Sequence, residues 1–383
     1  MSFAKNPSPW QCKSIRALVP SGSWRALASA MCLSALFALR CGDKGENGGP
    51  DPTPDPGCPG TQGELERLDF VFEELSWLDL SAEAGLAFAT GTSIGFRVRP
   101  ATDAESPPSS LRVSSGDPSI LGATTDPDAS FPHQLTFLGR GTASLSMLGD
   151  ADEEWDRLAV RIEDPTAISL WLGPLLAEPL WLDAFAEGPD RALISPEGGA
   201  RLAFALSNEQ GDAMPGRWTP EIEQGSGSTL LAVPEGRLSV GEDTWVPIQL
   251  LALLAVAGGP GEDAITIRGP GGLERSLSVT LDATPLLDRL EVILPATSDH
   301  GEEVGLERVV TVMGRAPDGA PALGYPALFY SSDPRVALVT PRPDAPDTAT
   351  VSFLASGEVT VTAVLSHDPT LWGSLTLKVA QKD

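Results

Sequence analysis

Cysteine is scarce in this chain, and its placement excludes more than its number. Of 383 residues only Cys12, Cys32, Cys41 and Cys58 are cysteines, and none follows Cys58. No disulfide can therefore staple the body, and no thiolate metal site or cysteine nucleophile can form there. Histidine is equally rare. His133, His300 and His367 are the whole set, with no His-x-x-x-His spacing, so exposed loop histidines are expected rather than ligands. Positive charge is also short, with 26 basic against 52 acidic residues and a formal net charge of -26. Residues 1–40 hold five basic side chains and no acidic one, so the remainder has 26 - 5 = 21 basic and 52 acidic residues, a net of -31. Such a surface repels phosphate backbones and anionic headgroups, which argues against nucleic acid as a partner. Long apolar runs are missing too. The longest, Ala26 to Leu39, has 14 residues, short of the ~20 that span a bilayer.

What is present favours globular β-structure. A hydrophobic share of 42% with 20% charged residues suits folding, and 39 Gly with 35 Pro supply many turns. Two stretches are copies. Ser114-Ser115-Gly116-Asp117-Pro118 precedes an alternating run through Phe137 and Gly141. Ser331-Ser332-Asp333-Pro334 precedes another through Phe353 and Gly357. Asp117 to Asp333, Phe137 to Phe353 and Gly141 to Gly357 are each 216 positions apart, which indicates duplicated domains. Period-two burial is expected at Leu68, Phe70 and Phe72, at Ile94, Phe96 and Val98, at Ala143, Leu145 and Met147, and at Leu158, Val160 and Ile162. Ile168, Leu170 and Leu172 open a second unit, and Leu290, Val292 and Leu294 a third. Trp218 and Ile222 are read onto one strand. Leu250 to Ala257 could be a buried strand or a short helix. Many short strands between turns, with no 3.6-residue stripe, give an all-β chain of tandem sandwiches.

The Ser-Ser-Asp-Pro motif, followed by a glycine and an alternating Thr/Ser strand, resembles the bacterial immunoglobulin-like domain of the group 2 type. The resemblance implies tandem immunoglobulin-like β-sandwiches of the kind found in adhesins and other surface proteins, and says little about ligand. The N-terminus resembles a bacterial lipoprotein signal: a basic region, an apolar core, then Cys41, which the resemblance makes the lipidated residue. Ordinary secretion, with Cys41 free to pair with Cys58, is the other reading. The expected division is a signal peptide at 1–40, a disordered Pro/Gly-rich linker at 41–63, and sandwiches at 64–164, 165–284 (a diverged copy) and 285–383.

Several residues invite chemistry. Gly91-Thr92-Ser93-Ile94-Gly95 matches the G-x-S-x-G hydrolase elbow, but that elbow needs a helix after the serine and here an alternating strand follows. Asp150, Asp152, Glu153, Glu154 and Asp156 could hold calcium; without a D-x-D-x-D-G loop, a solvated hairpin tip is expected. Trp77, Trp155, Trp171, Trp181, Trp218, Trp245 and Trp372 could include a carbohydrate-stacking face, with core and interdomain packing the commoner use. No catalytic residue, cofactor or metal site is expected. The function expected is that of a non-enzymatic, lipid-anchored envelope protein. It would present stiff modules to an envelope or extracellular protein or glycan, meeting the membrane through the anchor alone. A structural spacer is the rival, and an accessory part of a secreted hydrolase a remoter one.

Overall fold

Alternating sequence becomes paired strands throughout. The computed structural model describes residues 61–381 except 73–86, 102–106, 109, 127–128, 130, 176–184, 226–229, 240–244, 257–259 and 295–301; for 61, 236–239 and 245–247 it gives the backbone course alone. The first group of strands is β1 (Thr61–Gln62), β2 (Leu68–Phe72), β3 (Phe88–Ala89), β4 (Ser93–Pro100), β5 (Arg112–Ser115), β6 (Leu121–Thr125), β7 (His133–Phe137), β8 (Gly141–Leu148) and β9 (Glu154–Glu163). They form two facing sheets, ordered β1-β2-β4-β7-β6 and β3-β9-β8-β5. The β3–β9 pair is parallel. If β2 is strand A, β3 is A′ and β4 to β9 are B to G. The sheets are then A-B-E-D and A′-G-F-C, the immunoglobulin arrangement.

The second group is β10 (Ala167–Pro174), β11 (Ala186–Glu187), β12 (Arg191–Ile194), β13 (Gly199–Ser207), β14 (Glu221–Gln224), β15 (Leu230–Ser239), β16 (Trp245–Ala255), β17 (Gly261–Arg268) and β18 (Glu274–Leu281). The third is β19 (Arg289–Ile293), β20 (Glu302–Glu303), β21 (Glu307–Arg315), β22 (Pro321–Leu323), β23 (Ala327–Ser331), β24 (Ala337–Arg342), β25 (Ala345–Phe353), β26 (Gly357–Leu365) and β27 (Trp372–Ala380). Both repeat the lettering. In the second, β11-β10-β13-β16-β15 faces β14-β17-β18-β12; in the third, β19-β21-β25-β24 faces β20-β27-β26-β23. A further copy relation emerges here. Gly141 opens β8 and Gly261 opens β17, 120 positions apart, and the two strands bury the same alternate positions.

Three apolar cores follow. The first is Phe-rich, with Phe70, Phe72, Phe96 and Phe137 fully buried and Phe88 stacked on Phe137 at 4.4 Å. Burying each such ring is worth about 1.5–3 kcal/mol, which lets short strands hold without disulfides. The second core gathers Leu170, Leu172, Phe204, Leu253, Ile265 and Leu277; the third gathers Val310, Val351, Phe353, Val361 and Leu365.

The ambiguous apolar run Leu250 to Ala257 is strand as far as Ala255. Trp218 differs from its expected place on a strand. It sits in the loop before β14, buried edge-on against Phe204 with ring centroids 5.9 Å apart. The two-residue strands β3 and β20, too short to show a period, had no signal in the sequence. β1 pairs with β2 at Thr61 and Gln62, inside the stretch read as linker. Cys41, the apolar N-terminal run and the rest of that linker lie outside the described residues. Among the described residues no helix is long and apolar enough to cross a membrane.

Candidate functional surface

The G-x-S-x-G match forms a joint. Ser93 starts β4, so a strand follows it where the hydrolase elbow requires a helix. Its N–H donates to Arg217 O (2.9 Å) and Arg217 N–H donates back to Ser93 O (2.6 Å). Ala89 N–H donates to Pro215 O at 3.2 Å. Thr92 is buried and its hydroxyl donates to Ala89 O at 2.7 Å. Ala87 and Ala89 enter the second core. The motif thus docks the first sandwich onto the second through backbone bonds.

The second joint is a shared sheet. β12 pairs in parallel with β22, Leu193 opposite Ala322 and Ile194 opposite Leu323. This merges one sheet of the second sandwich with one of the third into a nine-stranded sheet. Ser195 N–H donates to Leu323 O at 3.0 Å, and buried Tyr325 donates its hydroxyl to Asp282 O at 2.9 Å. Side chains cross as well: Leu193 belongs to the third core, while Met313 and Leu323 belong to the second. Arg191 reaches Asp318 at 2.7 Å on the outside. Beside this seam lies Asp347, buried on β25, where desolvation pushes its carboxyl up to about 6 against N–H bonds from its own backbone and Gly324.

The copied Asp-Pro motif is a corner. Asp117 accepts from Ser119 Oγ and N–H, while Asp333 accepts from the guanidinium and N–H of Arg335; these bonds hold both carboxyls below the usual range. Leu121 and Ala337 N–H groups donate to the Asp117 and Asp333 carbonyls. Leu138 and Gly139 bond to Ile120 O as Leu354 and Ala355 bond to Val336 O. Each corner carries the chain from one sheet to the other, so the motif has a structural duty.

The acidic loop divides. Asp150, Asp152, Glu153 and Glu154 are exposed at the β8–β9 hairpin, but Asp156 is fully buried, contrary to the expected solvated tip. Its Oδ1 accepts from Leu65 and Arg157 N–H (2.8 and 2.7 Å), and its Oδ2 from Arg67 and Leu68 N–H (2.9 and 2.7 Å). Four donors explain why a carboxylate can sit there dry. Among the described residues no group of three His, Cys, Asp or Glu is placed to hold a metal ion.

The expectation of exposed loop histidines fails for His133. It lies buried on β7, 5.0 Å from the Phe96 ring, with Thr125 Oγ1 3.2 Å from Nδ1, and burial pushes its pKa down. Phe96 and His133 face each other across the β4–β7 ladder, which the strand period did not reveal. His367 is half-buried against Tyr325, and His300 lies outside the described residues. Trp171 and Trp218 are buried, Trp155 lies under Arg67, and Trp372 stands 61% exposed. Trp77, Trp181 and the side chain of Trp245 are not described.

The outer faces of the three C-F-G sheets differ at matching rows. In the first sandwich the row is Arg112, Leu148 and Glu154, with Arg112 also paired to Asp152. In the second it is Glu221, Arg268 and Glu274, with Arg268 bonded to Glu223 and Glu274 at 2.6 and 2.9 Å. In the third it is Leu328, Val364 and Trp372. The next row there is Tyr330, Thr362 and Ser374, and Thr360 and Thr376 follow with their hydroxyls 3.0 Å apart. The first charges beyond are Glu358 and Lys378, facing each other.

No family model matches this chain, and neither does any curated protein sequence. Among solved structures, domains 4–9 of the surface layer protein SbsC are 13% identical with a TM-score of 0.34, covering 77% of this chain and 43% of that one. The Escherichia coli adhesin FdeC is 12% identical (TM-score 0.24; 76% and 94% covered), and the integrin-binding bacterial protein invasin 16% identical (TM-score 0.22; 77% and 58% covered). This chain thus spans less than half of the SbsC segment.

Proposed function

We propose that this is a non-enzymatic cell-envelope protein that presents immunoglobulin-like modules outward for adhesion or for binding a protein or glycan. The observation that supports it best is the fate of the suggestive motifs. The serine motif is a joint and the Asp-Pro motif a corner, so these residues serve construction. Two backbone-bonded joints in series stiffen a chain without a disulfide, which suits presentation at a distance from an anchor. In this reading residues 1–40 are the signal peptide, Cys41 carries the lipid, 41–63 is the tether, and the sandwiches occupy 64–164, 165–284 and 285–383. The Ser-Ser-Asp-Pro motif of the first and third sandwiches supports the group 2 type, with the second a diverged copy. The acidic surface keeps the body off anionic lipid, so membrane contact runs through the anchor alone, and nucleic acid is no partner.

Mass spectrometry of the mature N-terminus tests the anchor: diacylglyceryl Cys41 is expected, and a chain still carrying Met1 in the cytosol sinks the export reading. A pull-down from envelope fractions separates presentation from a pure spacer. Presentation requires a retained partner; a spacer retains none.

A further inference from the structure

The third sandwich differs in charge from the other two on the outer face of β23, β26 and β27. We propose that this face binds a neutral oligosaccharide, with Trp372 and Tyr330 as stacking planes and the Thr/Ser rows as hydrogen-bonding partners. The inference rests on the binding role proposed above and names its ligand class. Where the first two sandwiches place Arg112 with Glu154 and Arg268 with Glu274, the third places Leu328, Val364 and Trp372. Leu328, Tyr330 and Trp372 are 52%, 53% and 61% exposed. Three rows carry no carboxylate or basic group until Glu358 and Lys378.

Charge and size select the occupant. An uncharged island on a chain of net charge -26 favours a neutral ligand over a polyanion, and the same charge opposes a second copy. Strand and residue spacings make the island about 15 Å by 20 Å, roughly 300 Å². A stable protein interface needs about 800 Å² per partner, so the island is too small for one and large enough for a few sugar rings. Tyr330 and Trp372 lie two strands and two residues apart, about 12 Å between Cα atoms, a separation a short oligosaccharide spans. Pyranose rings offer C–H faces to aromatic planes and hydroxyls to Thr362, Ser374, Thr360 and Thr376.

The test titrates the full chain with cellohexaose, laminarihexaose, maltohexaose, mannohexaose and chitohexaose, read by tryptophan fluorescence and calorimetry. At least one is expected to bind. Trp372→Ala should weaken it about tenfold or more, as for an aromatic hot spot. Leu328→Arg, which restores the residue of the first sandwich, should abolish it. All these side chains are exposed, so far-UV circular dichroism should not change. The proposal is overturned if no hexasaccharide binds or if both variants bind as wild type. It is equally overturned if Trp372→Ala instead abolishes dimerisation or capture of a protein. Absent acyl-Cys41 would leave a positive titration standing, and a negative titration would leave the anchor standing.

Discussion

Asp156 touches no water, and four backbone N–H groups point at it. Three come from residues 65, 67 and 68, so one side chain on strand G fixes how the chain enters strand A. An asparagine fits the space but turns an N–H₂ toward donors, leaving some unpaired at about 1–3 kcal/mol each. Asp156→Asn is expected to cost about 2–4 kcal/mol in urea unfolding and to remove hydrogen-exchange protection at Leu65, Arg67 and Leu68. Exchange unchanged at those amides would contradict the assignment. Asp347 has the opposite character: burial raises its pKa to about 6. A raised folded pKa means the fold prefers the neutral acid. Its contribution to stability is complete below about pH 4 and is lost as pH rises through about 6, worth roughly 3 kcal/mol. Asp347→Asn keeps a neutral side chain at every pH. Its unfolding midpoint should match wild type at pH 4 and exceed it at pH 7.

Strands in this chain do more than fill sandwiches. The seam between β12 and β22 is only two residue pairs long, yet it joins two sheets. Gly324 makes the approach possible. Its φ is +74°, and a Cβ there would lie 2.9 Å from Gly198 Cα and Gly199 N, backbone atoms that cannot swing aside. Gly324→Val should therefore wedge the joint open while the sandwiches keep their ladders. Small-angle scattering should show a changed maximum dimension, with far-UV circular dichroism retained; identical scattering curves would refute the role of the seam. The corner glycines show a second use of the residue. Gly141 and Gly357 take φ of 150° and 153° where Ile120 and Val336 pack over them, which explains the constant glycine in the copied motif.

At the scale of the molecule, the two joints are unequal. The first sandwich keeps a separate Phe-rich core and meets the second through the side chains of Ala87 and Ala89, the Ser93–Arg217 bridge and the Ala89–Pro215 hydrogen bond. The second and third exchange core side chains, Leu193 one way and Met313 with Leu323 the other. Scanning calorimetry should then give one transition for the first sandwich and one shared by the other two. Gly324→Val should split the shared one; three transitions in wild type would contradict the coupling.

Sequence by itself determined the all-β class, the period of most strands, the duplicated corner and the absence of disulfides in the body, because alternation and turn chemistry are local properties of the chain. Ser93 shows the limit. Its motif was legible, and its strand context argued against an elbow, but nothing local said that Arg217 would meet it. Asp156 read as one of five surface acids until the distant loop at 65–68 closed over it. Trp372 was one of seven tryptophans open to either core packing or sugar stacking until its row was seen facing outward. Each is decided by partners far along the chain, and only tertiary structure brings those together.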